Sequence, residues 1–292
     1  MRPKDDWLTI VTVCFNSETV LPRMLASVPE GVQVIIVDNA SSNITAIRQI
    51  AADHDAALVE LTENKGFGVA CNIGASKART EFLLFLNPDV EIRPQALEAL
   101  RDAAARYPAA SAFNPRILNE SGTMSLKRRS NLLPRAEWLP RGKIDDDCEV
   151  PVLAGSAIFV RKSDFDAVGG FDPLIFLYYE DDDLSLRLRR ERGPLYFIAS
   201  AEVMHTGGAS SARSAEVARI KGYHLGRSRV YCSIKHNTPF GRTKATAKAL
   251  LSAMSPLILF SKRKRAKDWA RLEATIKTLR VPVSRNDTKE NI

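Results

Sequence analysis

A chain of 292 residues has room for one large domain and an appendage, and 45% apolar residues are enough for a sizeable core. Its four cysteines, Cys14, Cys71, Cys148 and Cys232, are far apart and form no CxxC pair, which argues against a zinc site or a disulfide framework. The net charge of +8 is uneven: Arg213 to Arg285 holds eighteen Lys and Arg against three acids, a local balance of +15 that leaves −7 elsewhere. A basic segment of that kind serves nucleic acid, an anionic membrane or an acidic ligand. No run reaches the roughly 20 apolar residues of a membrane helix. The best, Ala249 to Phe260, is interrupted by Ser252, Ser255 and Pro256. With no apolar stretch behind the Met1-Arg-Pro-Lys-Asp-Asp6 start, no secretory signal is visible and a reducing cytosol is the expected location.

From the N-terminus, apolar β-rich runs at Leu8 to Phe15, Val32 to Val37, Ala57 to Leu61, Phe82 to Leu86 and Ala109 to Phe113 predict strands. Helical patterns at Val20 to Ser27, Thr45 to Ala52, Val69 to Ala78 and Pro94 to Arg106 separate them. The alternation predicts an α/β fold with a mostly parallel central sheet covered on both faces, whose ligands gather at the strand C-termini. Residues 115–150 read as a long variable loop. A strand follows at Val152 to Val160, then a helix capped by Ser163 that ends at Gly169-Gly170, and a helix Leu184 to Arg190 opened by Glu180-Asp181-Asp182-Asp183. Strands at Leu195 to Ile198 and Glu202 to His205 complete a domain over 1–212. Residues 213–285 form a basic helical extension, and 286–292 a disordered tail.

The run Phe82 to Leu86 ends on Asn87-Pro88-Asp89. A carboxylate at that strand end suits Mg²⁺ or Mn²⁺ held against phosphates, while the same triplet is equally a turn signal. Other phosphate-binding machinery is missing. The first strand runs into Cys14-Phe-Asn-Ser17 instead of a glycine-rich turn, Gly66-Phe-Gly68 lacks the third glycine of the dinucleotide fingerprint, and there is no GxxxxGK[ST].

Residues 8–208 resemble the inverting glycosyltransferases of family 2, which have the GT-A fold. Five motifs carry the resemblance: Val11-Thr-Val-Cys-Phe-Asn16, Val37-Asp38-Asn39-Ala40-Ser41-Ser42, Asn64-Lys-Gly66-Phe-Gly-Val-Ala-Cys-Asn72, Asn87-Pro-Asp89, and the series Gly169 to Asp172, Tyr179 to Leu184 and His205 to Gly208 with Ser210. The last series resembles the rhamnosyltransferase subgroup. The resemblance implies a nucleotide-sugar site from Val13, Phe15, Asn16, Glu18, Asp38, Asn64, Gly66, Asn72 and Asn87. Phe15 would pack on the base, Glu18 lie near the ribose or base, and Asp38 accept from the pyrimidine imide. Asp89 and His205 would hold Mg²⁺ or Mn²⁺. Asn87 stands where the family's DXD motif has its first Asp, which removes one charge from the metal site. The processive members' QxxRW motif is missing, which implies transfer of one sugar per encounter.

Asp181 is the candidate catalytic base. At about 100° per residue it shares a face with Leu184 and Leu188 and points inward. Asp183 instead shares a face with Arg187 and Arg190, as a surface ion pair, and Asp182 lies exposed near Arg189. Crowding by Glu180 and partial desolvation would raise the Asp181 pKa from about 3.9. The competing reading is that the four acids complement the helix N-terminus, and for His205 that it is a satisfied core histidine. Gly155, Tyr179 and Glu180 are assigned to the acceptor side. The expected partners are a nucleotide diphosphate sugar, best dTDP-rhamnose, a saccharide or lipid-linked acceptor, and an anionic membrane surface met by 213–285 on the inner face of the cell membrane. A UDP-hexose donor is one alternative. A non-catalytic membrane or nucleic-acid binding protein on a degenerate transferase scaffold is another, though nucleic acid has no recognition motif here and is not an expected partner.

Overall fold

The computed structural model describes residues 7–206 and 214–280. In chain order it forms β1 (Leu8–Cys14), α1 (Leu21–Ala26), β2 (Gln33–Asp38), α2 (Ile44–Asp53), β3 (Ala57–Glu60), α3 (Phe67–Lys77) and β4 (Phe82–Leu86). There follow β5 (Val90–Ile92), α4 (Ala96–Arg106), β6 (Ala112–Leu118), β7 (Met124–Ser125), β8 (Cys148–Glu149), β9 (Ala157–Arg161) and α5 (Lys162–Ala167). The chain continues through α6 (Glu180–Glu191), β10 (Leu195–His205), α7 (Ala215–Lys235), α8 (Gly241–Ala253), α9 (Leu257–Phe260) and α10 (Lys262–Arg280).

One sheet runs in the order β3-β2-β1-β4-β9-β6-β10-β5, with β7 paired to β6 and β8 to β10. Strands β3, β2, β1 and β4 are parallel. Beyond them the sheet is mixed: β9 enters antiparallel between β4 and β6, β6 and β10 are parallel, and β5 closes the edge antiparallel. All seven residues of β1 are buried, Thr9 and Thr12 included, as a strand covered on both faces requires. Thr9 satisfies its hydroxyl on Thr80 Oγ1 at 2.7 Å. One face packs Ile10, Ile36, Leu84 and Phe159 against Leu21, Ile47 and Leu100. The other packs Val11, Val37 and Phe85 with Cys71, Leu184 and Leu188.

Four local expectations change. The two last strands are one, β10, with an irregularity between Ile198 and Glu202 that keeps both halves paired to β6. The 115–150 stretch is partly ordered: β6 reaches Leu118 and turns back into β7. Asn119 Oδ1 holds that turn by accepting from Ser121 N and Thr123 N. The strand expected from Val152 begins only at Ala157, because Asn114 captures the preceding backbone, accepting from Ala154 N at 2.6 Å. Ser163 lies inside α5; the cap position is Arg161 and makes no side-chain cap bond.

The basic segment forms α7 to α10. Helix α7 meets α10 so closely that a Cβ on Gly222 would fall 2.1 Å from Lys267 O. The expected tail, and Gly207, Gly208 and Ser210, lie outside the described residues. Among the described residues, no helix is long and apolar enough to cross a membrane.

Candidate active site

The C-terminal ends of β1, β2 and β4 open onto a cavity of about 460 Å³. Of the residues expected there, Val13, Phe15, Asn16, Asn64, Gly66, Asn87 and Asp89 line it. Short polar side chains fix the loops that carry them. Asn16, at φ 52°, accepts from Ser42 N at 2.8 Å, and its own N–H donates to Ser41 Oγ at 2.8 Å. Asn39 donates to Asn64 Oδ1 at 2.9 Å and accepts from Lys65 N at 2.8 Å. Gly66 sits at φ +84°, and a Cβ there would stand 2.4 Å from Phe176 O, so the β3–α3 loop can close on that wall only as glycine.

Sequence reasoning missed several lining residues. Asn39, Phe67, Phe176 and Leu177 complete the wall, and Val217, Ile220 and Lys221 on α7 close it. The aromatic run before Tyr179 was a usable signal for Phe176. Nothing in the pattern of α7 marks its contact with a strand end 200 residues earlier.

Asp38, the last residue of β2, is 1% exposed. Its Oδ2 accepts from Ser41 N at 3.0 Å, whereas Oδ1 is buried without a hydrogen-bond partner. Glu18 Oε2 is buried and unpartnered as well. Both carboxylates act on the Cys14 thiol, whose pKa burial and then these charges push up. Such acceptors cost about 1–3 kcal/mol each unless a ligand donates to them. Neither residue lines the cavity itself; they stand behind the β1 and β2 ends. Asn72 is a correction. Its amide donates to Phe171 O and accepts from Phe171 N, both at 2.8 Å, so it pins Phe171 to α3, and it is not among the residues that line the cavity.

Asp89 and His205 come together across the β5–β10 pairing, with His205 Nε2 3.3 Å from Asp89 Oδ1. The hydrogen bond to Asp89 raises the His205 pKa against the effect of burial. Among the described residues no group of three or more His, Cys, Asp or Glu converges. A hard carboxylate on the cavity lining and the imidazole beside it fit an ion that takes its remaining ligands from water and substrate phosphates, the habit of Mg²⁺ and Mn²⁺.

The acids of α6 differ from their expected placement. Two consecutive left-handed residues, Tyr178 (φ 66°) and Tyr179 (φ 69°), swing the chain into the helix. Asp181 Oδ2 accepts from Gly155 N at 3.0 Å and from Lys127 Nζ at 2.7 Å. A Cβ on Gly155 would press on Asp181 at 3.2 Å. Lys127 also reaches Asp182 Oδ2 at 2.7 Å. Burial opposes the Lys127 charge, but the two carboxylates outweigh it and hold the ammonium protonated. Asp182 is thus buried, not exposed, because the loop after β7 covers it. Burial, with the charge of Asp181, pushes its carboxyl up.

Asp183 is also a correction: it is 0% exposed and binds Arg187, Lys235 and His236, because α7 covers the face that the helical period assigned to solvent. Glu180 takes the raised pKa that was expected for Asp181. Burial first, then the Asp181 charge, push it up to about 8. Its Oε2 is buried without a partner. Tyr179 is buried. Its ring packs with Leu132, Ile175 and Cys232, and its hydroxyl accepts from Asn131.

The family model described as Glycosyl transferase family 2 matches residues 9–169. The chain is 31% identical over 241 residues to the N-acetylglucosaminyl-diphospho-decaprenol L-rhamnosyltransferase of Mycobacterium tuberculosis, covering 71% of this chain and 78% of that protein. To Rhamnosyltransferase WbbL of Escherichia coli (strain K12) it is 26% identical over 219 residues, covering 67% and 82%. The solved mannosyltransferase PcManGT from Pyrobaculum calidifontis, in complex with GDP-Man and Mn²⁺, matches with a TM-score of 0.57 at 14% identity, over 96% of this chain and 88% of that one. At that identity the match shows a common fold.

Proposed function

Because the chain belongs to glycosyl transferase family 2 and has the GT-A type of fold, we propose that it moves one L-rhamnose from dTDP-rhamnose to a hydroxyl of a lipid-linked saccharide, with inversion, in cell-surface polysaccharide synthesis. The observation that carries the donor reading is Asp38 Oδ1, a buried acceptor with no partner at the end of β2. In this reading a pyrimidine imide N–H supplies the missing donor from the cavity that the neighbouring Asn39 lines, and Phe15, on the same lining, packs on the base. The rhamnosyl and lipid-linked parts rest on the two relatives named above. A UDP-hexose donor is the alternative that the same pyrimidine contact permits.

In this reading Asp181 takes the proton from the acceptor hydroxyl as its oxygen attacks the anomeric carbon on the face opposite the leaving group. No second carboxylate nucleophile is needed, so the configuration inverts. Gly155 N–H and Lys127 orient the Asp181 carboxylate. Glu180, protonated below about pH 8, adds no competing negative charge beside it. Asp89 and His205 would hold a divalent ion, which when bound would neutralise the leaving nucleoside diphosphate.

We assign residues 213–285 to closing the donor cavity through α7 and to holding the enzyme on the inner face of the cell membrane. Every large hydrophobic residue that is exposed among the described residues lies between Ile234 and Leu279, with Leu251, Met254, Leu259 and Phe260 all above 70% exposed. Lys262 to Arg265 follow directly. An apolar face next to such cations suits an anionic membrane interface.

Thermal-shift titration with dTDP-rhamnose, UDP-glucose and GDP-mannose, each with Mn²⁺ or EDTA, tests the donor. Ligand at about 100 times its Kd adds about 2.7 kcal/mol to stability. The expected result is a metal-dependent shift with dTDP- or UDP-sugars that Asp38→Ala abolishes. A shift with GDP-mannose alone, or none at all, refutes the donor reading.

A further inference from the structure

We infer that Arg129, Arg229, Lys248 and Arg271 form a binding site for the diphosphate of the acceptor lipid, beside the base-bearing end of α6. The inference rests on the reading that the acceptor is lipid-linked, and it assigns that acceptor's anionic group to named residues.

The four side chains come from four elements. Arg129 lies on the loop after β7, Arg229 on α7, Lys248 on α8 and Arg271 on α10. Helices α7 and α10 nearly touch here, since a Cβ on Gly226 would fall 2.4 Å from Arg271 O. Helix α8 packs on α10 through Ala249, Ala253 and Leu272, of which Ala249 and Leu272 directly follow Lys248 and Arg271. Arg229 and Arg271 are 7% and 6% exposed. Among the described residues, the ion pairs found include none of the four cations. Asp268, the acid whose charge acts on Arg271, is engaged by Lys264 at 2.7 Å.

The cations therefore oppose one another. Burial, then the charges of Arg229, Arg271 and Arg129, lower the Lys248 pKa; burial and Arg229 lower that of Arg271. Arg229 and Arg271 are buried like charges without counter-charges, which is costly, and an anion held between them and the exposed Arg129 and Lys248 removes that cost. Arginine forks suit a diphosphate in particular.

The position fits the reaction. Arg229 acts on the Tyr179 phenol, and Tyr179 directly precedes Glu180 and Asp181. Arg129 is two residues beyond Lys127, whose Nζ is 2.7 Å from Asp181. It lies 5.7 Å over the Trp138 ring, in a cavity of about 460 Å³ lined also by Lys127, Arg128 and Arg141. Past Lys248, α8 continues into exposed Leu250, Leu251 and Met254. An acceptor with its sugar at Asp181 and its diphosphate on the cations thus sends its chain over the apolar face of α8.

The test is binding of farnesyl diphosphate to the full chain in EDTA, with inorganic pyrophosphate as competitor and phosphatidylglycerol vesicles as a separate arm. The double variant Arg129→Ala, Lys248→Ala truncates exposed ends and spares the buried arginines. The expected result is a Kd raised about tenfold or more in the double variant, unchanged in Asp38→Ala, with pyrophosphate competing. Equal binding by wild type and double variant, loss of binding in Asp38→Ala, or binding to vesicles without binding to farnesyl diphosphate each overturns the site. Farnesyl diphosphate bound as expected, with no sugar nucleotide shifting the melting temperature, upholds the site while the transferase reading fails.

Discussion

Asp183→Asn separates a surface ion pair from a structural one. Asp183 is fully buried and accepts from Arg187 Nε at 2.9 Å, while Lys235 Nζ stands at 2.7 Å and His236 Nε2 at 2.8 Å. Burial disfavours its charge, yet His236, Arg187 and Lys235 more than offset that and hold its carboxyl at about 2, below the usual 3.8. A drop of nearly two units is on the order of 2 kcal/mol of stability at neutral pH. Removing one partner of a buried pair costs about 3–5 kcal/mol. Lys235 keeps Asp172 at 2.6 Å and Arg187 keeps Val168 O at 2.6 Å, so the lower end applies, about 3 kcal/mol. Urea denaturation at pH 7 measures it. The pH dependence is a second reading: because the folded pKa is depressed, this stability is present above 3.8 and is lost as pH falls towards about 2. Asp183→Asn should lack that slope. A loss below about 1 kcal/mol, the range of exposed pairs, or an unchanged acid slope would refute α7 as the cover of α6.

Asp181→Asn should lower kcat by about 10²–10⁴-fold and leave the sugar-nucleotide thermal shift intact; a parallel loss of the shift would make Asp181 structural. Glu180 is protonated in the folded state up to about 8 but ionises near 4.5 when unfolded. The folded state therefore binds the extra proton, and stability falls as pH rises between those values; Glu180→Gln should flatten that decline, and an unchanged curve contradicts the raised pKa. Gly66→Ala places a Cβ 2.4 Å from Phe176 O at φ +84° and should cost about 1–3 kcal/mol in chemical denaturation, with weaker donor binding. Wild-type behaviour would mean that the wall yields there.

The N-terminal parallel block was legible because each strand there is a continuous apolar run with its polar end at one edge, as in Phe82 to Leu86 before Asn87. The same signal marked Asn16 and Asp89, and the family resemblance marked Val13 and Asn64; all four line one cavity. It failed where a residue's surroundings come from distant chain. The helical period of α6 assumes one covered face, and it grouped Asp181 with Leu184 and Leu188, yet Asp181 is the least buried of the three aspartates. It then assigned Asp182 and Asp183 to solvent, because no local pattern announces that the loop after β7 brings Lys127 to one and α7 brings Lys235 and His236 to the other. Asn72 shows the same limit from the opposite side, since a motif position that looked like ligand chemistry is spent on a backbone 99 residues away. Strand ends are set locally and polar partners are not. The placement of Asp181 therefore depends on three long-range attachments, Lys127, Gly155 and the α7 clamp on Asp183. Loosening any one of them should disturb Asp181 before it disturbs the donor cavity behind β1 and β2.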